Sequence, residues 1–158
     1  MAGLYAANGY EHEDRAYETG VAVGDPGTGI SNKSSSPYIS EMTTFSQKWA
    51  PKLRESCKHQ KAKHTHPAVV FDADDTTLWT YDMEDAAMHF NFDPALQGTW
   101  VKEGKFPATP GMVDFVTAVA ARGYHVYGIT GRSASQENDT LANLAKVGYN
   151  QFNADNFF

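Results

Sequence analysis

The 158 residues (17.4 kDa) carry 41% hydrophobic, 13% aromatic and 20% charged side chains, which suits one compact domain and excludes a coiled coil or a collagen. Thirteen Lys plus Arg against nineteen Asp plus Glu give a net charge of -6, so a broad basic surface for nucleic acid is not expected. No run of about 18 apolar residues occurs, so neither a membrane-spanning helix nor a membrane partner is expected.

The first residues, Met1 to Tyr5, have neither a basic stretch nor a long apolar one, and no signal peptide is read there. The single cysteine, Cys57, excludes an internal disulfide and a cysteine-based zinc site. Residues 1–37 are punctuated by Gly9, Gly20, Gly24, Pro26, Gly27, Gly29 and Ser34-Ser35-Ser36-Pro37, which predicts an irregular arm ahead of a domain at 38–158. Ser40 then caps a predicted helix running to about Lys63, with Met42, Phe45, Trp49, Leu53 and Cys57 at three- or four-residue steps. Pro51 should kink or split it. Its second part, Lys48 to Lys63, holds six bases and one acid and reads as a solvated basic face. His64-x-His66 follows without a Cys or carboxylate partner nearby, which argues against a metal site.

Pro67 opens Ala68-Val69-Val70-Phe71, a short apolar run of the kind that forms a buried parallel strand. From Asp72 to Asp93 there are seven acids and no Lys or Arg, a charge imbalance for which a cation is the natural counterweight. The excursion from Trp79 to Pro107, with Tyr81, Met83, Phe90, Phe92 and Trp100, predicts one or two short helices whose aromatics either pack or wall a pocket. Pro110-Gly111 precedes an apolar stripe of Met112, Phe115, Val116, Val119 and Ala120 that ends at Gly123, a one-sided helix. Tyr124 to Thr130 is a second apolar strand, and Ser133-x-x-Gln136 is a capping-box pattern before a helix with Leu141, Leu144 and Ala145. The order strand, helix, strand, helix predicts an α/β fold with a parallel sheet and chemistry at the C-terminal strand ends.

The string Asp72-Ala73-Asp74-Asp75-Thr76-Thr77 lies where the first strand gives way to a loop. Two carboxylates at i and i+2 there can serve one site: one attacks phosphorus or binds a cation, and the other gives and takes a proton. An acidic turn, or a simple cation-binding loop, uses the same residues. Thr130-Gly131-Arg132, taken locally, is equally an ordinary strand-to-helix turn with Ser133 as cap. Gly128-x-x-Gly131 lacks the lysine and length of a P-loop.

Asp72-Ala73-Asp74-Asp75-Thr76 after an apolar strand resembles the Asp-x-Asp-x-Thr motif of the haloacid dehalogenase (HAD) superfamily, and Thr130 matches its second motif. Pro107-Ala108-Thr109-Pro110-Gly111, Thr130-Gly131-Arg132, Asn143-Leu144 and Gly148-Tyr149 are similar to its acid phosphatase branch, subfamily IIIB, which includes plant vegetative storage proteins. The resemblance covers residues 38–150 and implies a Rossmann-like parallel sheet with flanking helices and a small or absent cap. It implies a phosphate monoester as substrate, Asp72 as the nucleophile that becomes an aspartyl-phosphate, and Asp74 as general acid and base. Mg2+ would be held by the Asp72 carboxylate and the Asp74 backbone carbonyl. Thr130 and the amides around Gly131 would grip the phosphate. Arg132 either adds charge near the substrate or is a surface or helix-capping residue, and Thr76 is expected to fix the loop. Export is suggested by the branch, although the string shows no signal for it.

The superfamily also carries a downstream lysine and a further acidic strand end. Lys146, inside a predicted helix, and Asp155 match neither, and Phe158 falls about where a third core strand should begin. The expectation is therefore an N-terminal portion of such a domain, truncated after the second core strand and helix, with exposed sheet edge and apolar faces. A complementing chain or a homo-oligomer would cover them. Two functions stay open: a Mg2+-dependent acid phosphatase, or a storage or interaction protein that holds a cation or phosphate at Asp72 and Asp74 without turnover.

Overall fold

The computed structural model describes residues 42–53 and 67–158. The predicted arm, most of the basic face and His64-x-His66 lie outside the described residues. Residues 42–53 form helix α1, which passes through Pro51 without being split there. Strand β1 (Ala68–Phe71), helix α2 (Pro94–Glu103), helix α3 (Met112–Ala121), strand β2 (His125–Gly128) and helix α4 (Glu137–Lys146) follow in order. No described helix is long and apolar enough to cross a membrane.

β1 and β2 pair in parallel, Ala68 with His125 through Phe71 with Gly128, as the strand-helix-strand order requires. β2 is shorter than the predicted run, yet the ladder carries past it: Ile129 N–H donates to the Phe71 carbonyl at 2.9 Å. On the other side of β2, Gly128 bridges to Phe157 in parallel, and Thr130 N–H donates to the Phe158 carbonyl at 2.8 Å. Residues 156–158 thus lie where a third strand was expected.

α3 buries Met112, Phe115, Val116 and Val119 against the sheet, the stripe read from the sequence. Its start is set by Gly111, which has φ 75° and whose Cα lies so close to α1 that an added Cβ would sit 3.1 Å from Thr43 Cα. α2 begins at Asp93, whose carboxylate accepts from the Ala95 and Leu96 amides, and stops at left-handed Gly104. The Trp79–Pro107 excursion folds down onto the core, with Tyr81, Met83, Trp100 and Val101 buried, so its aromatics chiefly pack. Only Phe92 among them is largely exposed. Gln136 Oε1 accepts from Ser133 N–H at 3.1 Å, which realises the capping box at a turn of 3-10 helix, Ala134–Gln136, leading into α4. Edge-to-face rings run from Phe45 through Phe115, Phe71 and Phe152 to Phe157 and knit α1, α3, the sheet and the last residues together.

Gly128 is the tightest point of this packing, because a Cβ there would lie 2.1 Å from the buried Phe157 ring. Gly128→Ala is expected to cost about 1–3 kcal/mol of stability by overpacking. Gly131→Ala, whose Cβ would meet nothing within 4 Å, should stay within about 0.5 kcal/mol. Urea unfolding of the two variants checks the contrast.

Candidate active site at the strand ends

The chain leaves β1 at Phe71 and curls into a tight loop around one carbonyl. Ala73 C=O accepts from Thr77 N–H at 3.1 Å, from Leu78 N–H at 2.8 Å and from Thr77 Oγ1 at 3.2 Å. Thr77 Oγ1 also lies 2.9 Å from the Asp72 carbonyl. The hydroxyl that fixes the loop is therefore that of Thr77, which is buried, and the expectation for Thr76 is corrected by one residue. The loop is tied from outside by residues 107–109: Trp79 N–H donates to Pro107 C=O at 2.9 Å, and Thr109 N–H to Thr77 C=O at 3.0 Å. Tyr149, just past α4, donates its buried hydroxyl to the same Thr77 carbonyl at 2.8 Å.

Asp72 stands at the C-terminal end of β1 with its side chain turned outward. Desolvation chiefly raises its carboxyl pKa, with the Asp74 charge adding to the rise. A backbone hydrogen bond from Ala73 and the Arg132 charge pull the other way. Asp74, two residues on, is held by Arg132: Nε donates to both carboxylate oxygens at 3.1 Å, and Nη2 donates to Oδ1. This is a two-point pair between the loops that follow β1 and β2.

Thr130 sits at the end of β2, where its Oγ1 accepts from Arg132 N–H at 3.3 Å. Gly131 is exposed, with open space about its Cα. Arg132 turns inward, contrary to the expectation of a surface or capping side chain, and its side chain is 1% exposed. The physical reason is that Asp74, Thr140 and Phe106 meet the guanidinium on three sides. The structure thus brings Asp74, Thr130 and Arg132 into direct contact, with Asp72 coupled to Asp74 and Arg132 through charge.

Four residues were not assigned a role from the sequence. Thr140 Oγ1 accepts from Arg132 Nη1 at 3.0 Å. Phe106 places its ring 4.9 Å from the Arg132 guanidinium carbon. Asn143 accepts from Phe106 N–H at 3.1 Å and donates to Phe106 C=O at 2.7 Å, reproducing a peptide pair with its side chain. Thr140, Asn143 and Leu144 share the buried face of α4, so polar residues on an inward stripe were the available signal. Asp75 is the fourth. It has φ 55°, and its Oδ1 accepts from Thr80 N–H at 3.0 Å and Thr80 Oγ1 at 2.7 Å, while burial chiefly raises its pKa.

Among the described residues no group of three His, Cys, Asp or Glu gathers as a metal cluster. The oxygen donors at the loop are of the hard type that Mg2+ takes, an ion that commonly uses one or two carboxylates and keeps several waters. The Asp72 carboxylate, with the Asp74 carbonyl two residues on in the same loop, fits such a partial shell.

Residues 30–156 match the model of HAD superfamily, subfamily IIIB (acid phosphatase), and the chain belongs to that family. Among solved structures, the chain is similar to the class C acid phosphatase from Bacillus anthracis, with 24% identity and a TM-score of 0.60 over 75% of this chain and 51% of that one. A structure of the Bacillus anthracis class C enzyme with tungstate bound is matched at 20% identity and a TM-score of 0.67, over 83% of this chain and 55% of that one. The chain spans about half the length of these structures, and at these identities the likeness establishes the HAD-like fold. No curated protein sequence matches the chain.

Asp75 combines a left-handed backbone with two hydrogen bonds to Thr80. Asp75→Asn keeps an acceptor oxygen and a side chain tolerant of that backbone, and should leave stability within about 0.5 kcal/mol. Asp75→Ala strands the Thr80 donors and is expected to cost about 1–3 kcal/mol. Thermal unfolding of the pair measures the difference.

Proposed function

We propose that the protein hydrolyses phosphate monoesters in two steps through an aspartyl-phosphate on Asp72. The observation that carries this reading is the pairing across the strand ends: an outward carboxylate at the end of β1, with a second carboxylate beside it held by an arginine from the loop after β2. In the first step an Asp72 carboxylate oxygen attacks phosphorus, the bond to the ester oxygen breaks, and protonated Asp74 gives that oxygen its proton. In the second step water attacks the phosphorus of the acyl phosphate, Asp74 takes its proton, and inorganic phosphate and the Asp72 carboxylate are released. Thr130, through its hydroxyl, and the Gly131 amide lie on the β2 side of the site, where they would hold the phosphate oxygens. Arg132 stands on the same side, with its guanidinium paired to Asp74. A tetrahedral oxyanion, tungstate, occupies the Bacillus anthracis relative, which supports an oxyanion site in this fold.

Mg2+ would be held by the Asp72 carboxylate and the Asp74 backbone carbonyl, with water and substrate oxygens completing its shell. When bound, it neutralises phosphate charge that would otherwise repel the Asp72 carboxylate. The family match supports reading the protein as an enzyme, and the domain that would carry this activity is read as residues 38–158 behind an N-terminal arm at 1–37.

Hydrolysis of a chromogenic phosphate monoester by the 158-residue chain, with Mg2+ or with EDTA, tests the reading beside Asp72→Asn. Mg2+-dependent release that falls by about a thousandfold or more in the variant is expected, since a nucleophile is removed with little change of shape. Equal activity in the variant would overturn Asp72 as nucleophile. No release from a chain shown to be folded by circular dichroism would favour a protein that binds a cation or phosphate without turnover.

A further inference from the structure

The Arg132 guanidinium is spent inside the fold. Its Nε–Nη2 edge faces Asp74, its Nη1 donates to a threonine hydroxyl, and its face lies on the Phe106 ring. Thr140 is 0% exposed, so that end of the fork is closed to any substrate. An arginine that reads a phosphate presents a free edge of paired N–H donors. Here that edge is taken, and offering it to a phosphate would require releasing Asp74. The Asp74 side chain, by contrast, is 33% exposed, so its carboxylate reaches the open side of the site while being gripped from below.

We propose that Arg132 is a positioning residue, which serves the reaction by aiming the Asp74 carboxylate, and that Thr140 and Phe106 are the socket that holds Arg132 in the conformation to do so. The inference rests on the phosphatase reading and deepens it. A general acid must lie about 2.6–3.2 Å from the oxygen it protonates, and Asp74 hangs on a loop with two free side-chain torsions. Two contacts from one rigid guanidinium plane remove that freedom. The plane is in turn fixed by Thr140 at one end and by Phe106 beneath, and Phe106 is itself pinned by the two hydrogen bonds its backbone exchanges with the Asn143 side chain. The chain of control therefore runs from the buried face of α4 to the proton-transfer group.

The test uses the full chain as Thr140→Val, Thr140→Ser, Arg132→Gln, Asp74→Asn and the Asp74→Asn/Arg132→Gln double variant. Turnover of a chromogenic phosphate monoester with Mg2+ is read beside the dissociation constant of inorganic phosphate. Thr140→Val, which keeps shape and removes the acceptor, should lower kcat by about tenfold or more, with phosphate affinity unchanged within about threefold. Thr140→Ser should restore kcat. The double variant should be no slower than Asp74→Asn alone, because Arg132 acts through Asp74. Phosphate binding weakened tenfold in Arg132→Gln, or kcat losses that multiply in the double variant, would overturn the proposal. If the unsubstituted chain shows no turnover, the phosphatase reading fails, and the clamp is judged by solvent exchange of the Arg132 Nε–H in nuclear magnetic resonance. Protection in the unsubstituted chain that drops about tenfold in Thr140→Val and Asp74→Asn supports the clamp, whereas an unprotected Nε–H overturns it.

Discussion

The candidate site depends first on the register of one short parallel pairing. Phe71 stands opposite Gly128, and the ladder continues through the Ile129 N–H to the Phe71 carbonyl. Asp72 therefore leaves the sheet beside the residues that lead to Thr130. Because strand side chains alternate, a slip of one residue would turn the buried Phe71 outward and carry Asp72 into the core. The aromatic contacts of Phe71 with Phe115 and Phe152 make that slip costly, so the packing around Phe71 also sets the position of the acids.

A second constraint acts on the loop itself. The loop after β1 has little regular structure, yet its carbonyls at Ala73 and Thr77 collect donors from within the loop, from Thr109 and from Tyr149. Burial pushes the Tyr149 hydroxyl pKa well up, which keeps it a proton donor to the Thr77 carbonyl. The acids are thus mounted on a backbone that is hydrogen-bonded from two sides, and one of them is gripped by a buried arginine. An enclosed guanidinium is tolerated when an opposite charge and further contacts meet it, and Asp74, Thr140 and Phe106 do so here. α2 packs on α4, which brings the turn carrying Phe106 against Thr140 and Asn143.

Much of this framework was legible in the residues. The apolar run at 68–71, the one-sided stripe from Met112 to Ala120 and the Ser133–Gln136 box each has a local period or pattern, and each became the element it predicted, although in the strand only Phe71 is buried and Val70 is 54% exposed. The acidic string announced itself by charge, and its place after a strand announced the superfamily. Thr77 was harder, because adjacent threonines in a turn differ only in which one faces inward, and that depends on the curl of the loop about Ala73. Arg132 was harder still. Its partners stand 58 and 8 residues away along the chain, so no window of sequence shows that its charge is buried.

The sequence by itself determined the strand-helix-strand order, the acids at the end of the first strand and the family to which they belong, since these follow from local periodicity and contiguous motifs. Tertiary structure alone decided which groups the acids face. It set Asp74 against Arg132, placed Thr140 and Phe106 behind that arginine, and used Asn143 as a peptide-like clasp on Phe106. Hydrogen bonds and ion pairs between distant segments depend on side-chain direction and burial, which arise only when α4, the 106–109 turn and the two strand ends close on one another.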